Sequence, residues 1–218
     1  MIQVGLAAPR RAVGLTGLVL GAAFIRALLL PLGDILSTLV FGGCLLAIAW
    51  VERTAPTLPS PNVSNARLAP KRRSSGATGP ASGGLESPSR VGILGSLVAG
   101  LLVGAVLLVP LTTGSLGARG LDGFWTWAAL AALIATLEEI AIRGALYRRW
   151  SAEAGPVAAI VVGAVVFALI HLPRYGLGAM PLDAAVGLAL GGLRAFTGRV
   201  APCAVAHTIA DWGAWFWA

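Results

Sequence analysis

Three short runs place ionisable side chains inside apolar sequence: Glu138-Glu139 with Arg143, Phe167 with His171, and His207 with Asp211. The chemistry open to such a set is proton transfer, since a carboxylate beside an imidazole is a general acid–base pair. Glu139 and Arg143 stand at i and i+4 with the acid first, the favourable order for a helical ion pair. Glu138 points to another side of that helix and has no local partner. A buried carboxylate in that position either takes a proton or meets a partner from another helix. Phe167 lies one turn before His171. His207 and Asp211 again stand at i and i+4, so the carboxylate can orient or charge the imidazole. The chain has two histidines, and both fall in these runs.

The surroundings must be lipid. The chain has 218 residues, of which 57% are hydrophobic and 11% charged, and its mean hydropathy is +0.84. Soluble domains carry roughly 25% charged residues. Ionisable groups at a bilayer centre cost about 2.5–3.5 kcal/mol or more, so each needs a reason to be there. Seven segments are long and apolar enough to span: 13–31, 35–51, 91–110, 124–147, 155–172, 181–197 and 200–217. The expected fold class is all-α, a polytopic transmembrane bundle of about seven spans. Its expected parts are a two-helix hairpin (1–52), a disordered basic linker rich in Pro and Ser (53–90), and a catalytic bundle (91–218). The linker carries Lys71, Arg72 and Arg73 and six prolines, a composition that builds no core. Arg26 interrupts the first span and is expected to reach toward headgroups.

The net charge of +7 does not point to nucleic acid, because the basic residues lie in clusters between apolar runs, with no basic face carrying interleaved aromatics. That clustering is a topology signal. Arg10, Arg11, the linker, Arg148, Arg149 and Arg199 fall on one side, with Asp34, Asp122 and the isolated Arg119 and Arg174 on the other. The positive-inside rule then predicts a cytoplasmic N-terminus in an inner or plasma membrane. The tryptophans fall near the ends of the segments, as an aromatic belt would place them. Three GxxxG pairs, Gly17/Gly21, Gly100/Gly104 and Gly187/Gly191, allow close helix approach. Cys44 and Cys203 form no CxxC and are expected as buried thiols.

Glu138 and His171 both lie roughly 20–25 Å from the turn at 151–155, counted at 1.5 Å per residue, so they can meet at one depth. His207 and Asp211 count as somewhat nearer the cytoplasmic side.

In order and spacing these runs resemble the CPBP family, which groups type II CAAX prenyl endoproteases with bacteriocin-processing and Abi-type membrane proteins. Its EExxxR, FxxxH and HxxxN/D motifs correspond to Glu138-Glu139…Arg143, Phe167…His171 and His207…Asp211, and Gly144 to Arg149 resembles the usual continuation. The resemblance spans about 124–215. It implies an endopeptidase acting on a membrane-associated protein or peptide, without a cofactor. Glu138 and His171 would activate water, His207 and Asp211 would support the oxyanion, and Glu139, Arg143 and Phe167 would support the site. Ile142 departs from the family's frequent Phe. Asp211 departs from the frequent Asn, which can donate to an oxyanion where an ionised carboxylate cannot. The Ala-, Gly- and Arg-rich composition looks bacterial, where sorting-tail proteases such as myxosortases are relatives. Three other readings use the same residues: a zinc protease with Glu138, His171, His207 and Asp211 as ligands, a proton-relay transporter, and a scaffold without activity. HExxH is absent and no inverted repeat is visible, which weakens the first two.

Overall fold

The computed structural model describes residues 9–54, 91–109 and 123–217. Most of the linker, together with Arg119 and Asp122, lies outside the described residues. The described elements are helical: α1 (Arg10–Leu29), α2 (Asp34–Thr54), α3 (Ile93–Leu107), α4 (Phe124–Glu139), α5 (Tyr147–Ala154), α6 (Pro156–Tyr175), α7 (Met180–Thr197) and α8 (Ala201–Trp217). A π-helical segment, Ile140–Leu146, joins α4 to α5, so the fourth span runs unbroken from 124 to 154. Seven apolar segments therefore make an all-α polytopic bundle, in the places the hydropathy marks. Four of them are long and apolar enough to cross a membrane by length and composition alone, and Ile93–Leu107 is a shorter apolar helix.

The turns follow from local chemistry. Gly33 (φ 128°), Gly155 (φ 89°) and Gly176 (φ 74°) adopt backbone angles that a side chain resists, and they end α1's 3-10 extension, α5 and α6. Pro156 and Pro181 sit in the first turns of α6 and α7, where a missing N–H costs nothing. Pro181 therefore starts the sixth span rather than shortening it.

α6 packs on α7, and α8 packs on α3 and α4, while the α1–α2 hairpin leans on α6 and the π segment. The shared core holds Phe41, Leu45, Ile142, Leu146, Phe167 and Leu190. Outward residues such as Leu94, Trp125 and Val157 are large, apolar and more than 70% exposed, which suits a lipid-facing surface. Trp127, Trp212 and Trp215 also make contacts within the bundle. Trp127 and Trp215 pack with rings 4.9 Å apart beside Phe124, and the indole N–H of Trp212 donates to the Ala128 carbonyl at 3.0 Å.

The small-residue pairs divide. A Cβ on Gly100 would come within 2.7 Å of the Pro202 carbonyl oxygen, and one on Gly187 within 2.7 Å of Ala164 Cα. Gly104 and Gly191 are nearly as tight, against Ile209 and Ile160, whereas Gly17 and Gly21 have nothing within 4 Å. The first pair therefore contributes no close approach in this chain. Gly100→Ala and Gly187→Ala are expected to destabilise the purified protein by about 1–3 kcal/mol, because backbone must move to admit the methyl. Gly21→Ala is expected to be neutral or stabilising by about 0.5–1 kcal/mol. Unfolding in detergent measures both; equal effects at the three positions would contradict the packing described.

Candidate active site

The fourth span delivers three of the charged groups. Glu138 and Glu139 end α4, and Arg143 lies within the π segment, where i→i+5 bonding widens the turn. All three are at most 2% exposed. The pairing expected from sequence is present: Arg143 Nη1 donates to Glu139 Oε1 at 2.8 Å. Arg143 Nη2 also donates to the Gly187 carbonyl at 3.1 Å, and its guanidinium lies 4.7 Å from the Phe167 ring centroid. The Arg143 carbonyl accepts from Arg194 Nε at 2.9 Å. The wide turn is thus held to α7 through both ends of one residue.

α6 carries the first imidazole. His171 Nδ1 lies 2.8 Å from the Phe167 carbonyl oxygen, which can only accept, so Nδ1 carries the proton. Nε2 is then left with a lone pair, and it faces Glu138 Oε2 at 3.9 Å. The Phe167 ring packs against both imidazoles, with centroids 4.4 Å from His171 and 5.1 Å from His207. Tyr175 stacks on the other side of His171 at 5.7 Å.

α8 carries the second imidazole. His207 Nδ1 lies 3.0 Å from Glu139 Oε1, and its Nε2 lies 3.8 Å from Glu138 Oε2 and 3.6 Å from Asp211 Oδ1. The expected Asp211 pairing is present through Nε2, and Glu139 makes a shorter contact to Nδ1 across helices. The depth offset expected for His207 is absent, since both imidazoles approach the same oxygen of Glu138. The structure brings together all seven residues singled out from sequence: Glu138, His171, His207 and Asp211, with Glu139, Arg143 and Phe167 around them.

Above this cluster is a pocket of about 100 Å³. Glu138, His171 and Asp211 line it, as do Arg26, Thr38 and Asp34 from the N-terminal hairpin and Trp127, Arg174 and Tyr175. The hairpin residues carried no motif, and nothing in their spacing marked them. Arg26 does not reach for headgroups. It is 7% exposed and its guanidinium lies 5.0 Å from the Phe41 ring centroid, because α1 turns this face toward α2 and α6. Arg174 pairs with Asp34 across the rim.

The donor set admits two occupants. Glu138, His171 and His207 each offer a ligand atom, and these atoms lie within 4.8 Å of one another. Ligand atoms around a tetrahedral zinc stand roughly 3.3–3.5 Å apart, given Zn–N near 2.0–2.1 Å. Separations of 3.8 and 3.9 Å from the carboxylate oxygen require a contraction of a few tenths of an ångström for zinc. A water at hydrogen-bonding distance from each atom requires none. Asp211 is not part of that three-residue group.

Comparison with known proteins agrees with this geometry. Residues 120–213 match the family model described as Type II CAAX prenyl endopeptidase Rce1-like. No curated protein and no solved structure matches the chain. The match begins just before α4, ends within α8, and contains every side chain of the acid–imidazole cluster. Over residues 120–213 this multi-pass membrane protein is thus similar to the Rce1-like type II CAAX prenyl endopeptidases.

Proposed function

We propose that the protein is an intramembrane endopeptidase that hydrolyses a peptide bond of a membrane-associated protein or peptide, with Glu138 as the general base. One observation carries the reading. Glu138 Oε2 and His171 Nε2 face each other at 3.9 Å, and with the carboxylate ionised and the imidazole neutral, its proton on Nδ1, both are acceptors. A water satisfies both with its two O–H groups, and that hold leaves its oxygen lone pairs free to attack. As the oxygen adds to the substrate carbonyl carbon, one proton passes to Glu138. The carbonyl oxygen becomes an oxyanion beside His207. A second proton on Nε2 makes His207 a donor to that oxyanion, while Glu139 holds the ring through Nδ1. Glu138 then gives its proton to the leaving nitrogen, and the C–N bond breaks. Asp211, at the edge of the pocket, adds negative charge near His207 and thereby favours its cationic form.

A zinc protease built on Glu138, His171 and His207 is the second reading, favoured by the convergence of three ligand atoms. Glu138→Gln is expected to lower peptide hydrolysis by about 10²–10⁴-fold with an unchanged unfolding temperature, since the amide keeps the shape and loses the base. Activity that survives a strong chelator and metal-free protein by mass spectrometry would decide for water alone. Retained hydrolysis in Glu138→Gln would sink both readings.

The pocket's sidedness follows from its walls. Arg26, Asp34, Trp127, Arg174 and Tyr175 lie at the ends of α1, α2, α4 and α6 that face away from Arg10, Arg11, Arg53, Arg148 and Arg149. If the basic end is cytoplasmic, the pocket opens on the extracytoplasmic side, and the scissile bond approaches from there. A cysteine replacing Asp34 is then expected to react with a membrane-impermeant maleimide added outside intact cells, while one replacing Arg148 reacts only after lysis. The reverse pattern would place the pocket in the cytoplasm.

A further inference from the structure

Each guanidinium drawn into the bundle beside an acid has a clear partner: Arg143 has Glu139, Arg149 has Glu52, and Arg174 has Asp34. Arg26 does not. It is 7% exposed, its Nη2 reaches Thr38 Oγ1 only at a long 3.4 Å, and its buried Nε has no hydrogen-bond partner. No carboxylate of the described residues stands within ion-pair distance of it. The other acids of the pocket wall are engaged elsewhere, Asp34 with Arg174 and Asp211 with His207. Glu138 lies between the two imidazoles, near enough for its charge to act on Arg26 but outside ion-pair distance of it. A guanidinium removed from water without an anion is costly, and the cost is recovered when an anion binds. Stacking on Phe41 offsets part of that cost but supplies no negative charge.

Arg26 lines the same pocket as Glu138 and His171. We propose that Arg26 is a substrate-binding residue that holds a carboxylate of the peptide cleaved at Glu138. The proposal rests on the peptidase reading for its substrate class. Guanidinium and carboxylate match in charge and in planar geometry, and such pairs are among the stronger hydrogen-bonded contacts. A peptide anchored in this way presents a bond at a fixed short distance from its charged group, so Arg26 would set which bond is cut. The carboxylate can be the chain end or an acidic side chain, and the ion pair Asp34–Arg174 lines the same pocket.

Binding of short peptides to the full-length Glu138→Gln protein in detergent tests this without requiring turnover. The probes are N-acetyl-Ala-Leu-Ala with a free carboxylate, the same peptide as its amide, and the amide of N-acetyl-Ala-Asp-Ala. The free acid is expected to bind about tenfold or more tightly than its amide. Arg26→Met should erase the difference, and Arg26→Lys should keep part of it. An Asp peptide that binds as well as the free acid assigns the site to a side-chain carboxylate; one that binds like the neutral amide assigns it to the chain end. Equal binding of acid and amide, or no binding of either, overturns the proposal before any Arg26 variant is made. A preference retained in Arg26→Met overturns it as well. Should the carboxylate preference stand while wild-type protein fails to hydrolyse peptides, the peptidase reading falls and the anion site remains.

Discussion

One carboxylate oxygen holds the site together. Glu139 Oε1 accepts from Arg143 at 2.8 Å and lies 3.0 Å from His207 Nδ1, so a single atom at the end of α4 fixes both the π segment and α8. Arg143 extends the connection to the Gly187 carbonyl of α7 and to the Phe167 ring of α6. Four parts of the bundle are thereby indexed against one ion pair that water does not reach. Removing either partner would leave a charge stranded in low dielectric, a loss of about 3–5 kcal/mol. Such a network fixes geometry as well as stability: with Nδ1 committed to Glu139, the other nitrogen of His207 must face Glu138.

Packing makes that network possible. Arg143 can reach the Gly187 carbonyl because α6 and α7 approach so closely that Gly187 has no room for a side chain. The π segment widens the helix where the guanidinium leaves it, and Arg194 supplies a donor to the Arg143 carbonyl in that turn. Local departures from α-helix often mark functional sites. Here the departure begins directly after the two glutamates and contains the arginine that anchors one of them.

The N-terminal hairpin is more than an anchor. It lies outside the matched segment, yet it forms one wall of the pocket through Arg26, Asp34 and Thr38. The acid–imidazole cluster belongs to the family-matched helices, while part of the pocket wall beside it comes from α1 and α2.

Much of this was legible in the sequence. Apolar length set the seven spans, and Gly155 and Pro156 marked the turn between the fourth and fifth. The cost of charge in lipid picked out Glu138, Glu139, Arg143, His171, His207 and Asp211, because nothing bland explains them there. Helical spacing also gave the Glu139–Arg143 pair, whose partners are neighbours on one helix. Helical spacing gave the Asp211–His207 pair as well, but not the contact of the ring's Nδ1 with Glu139, 68 residues away. It likewise suggested headgroups for Arg26, which instead lines the pocket. Those outcomes depend on which helix faces lie against which, and periodicity within one segment carries no information about the rotation of its neighbour. The sequence determined that costly charges sit in the membrane and on which helices; only tertiary packing decided which of them meet, because pairing across helices is set by close approach at residues such as Gly187 and not by spacing along the chain.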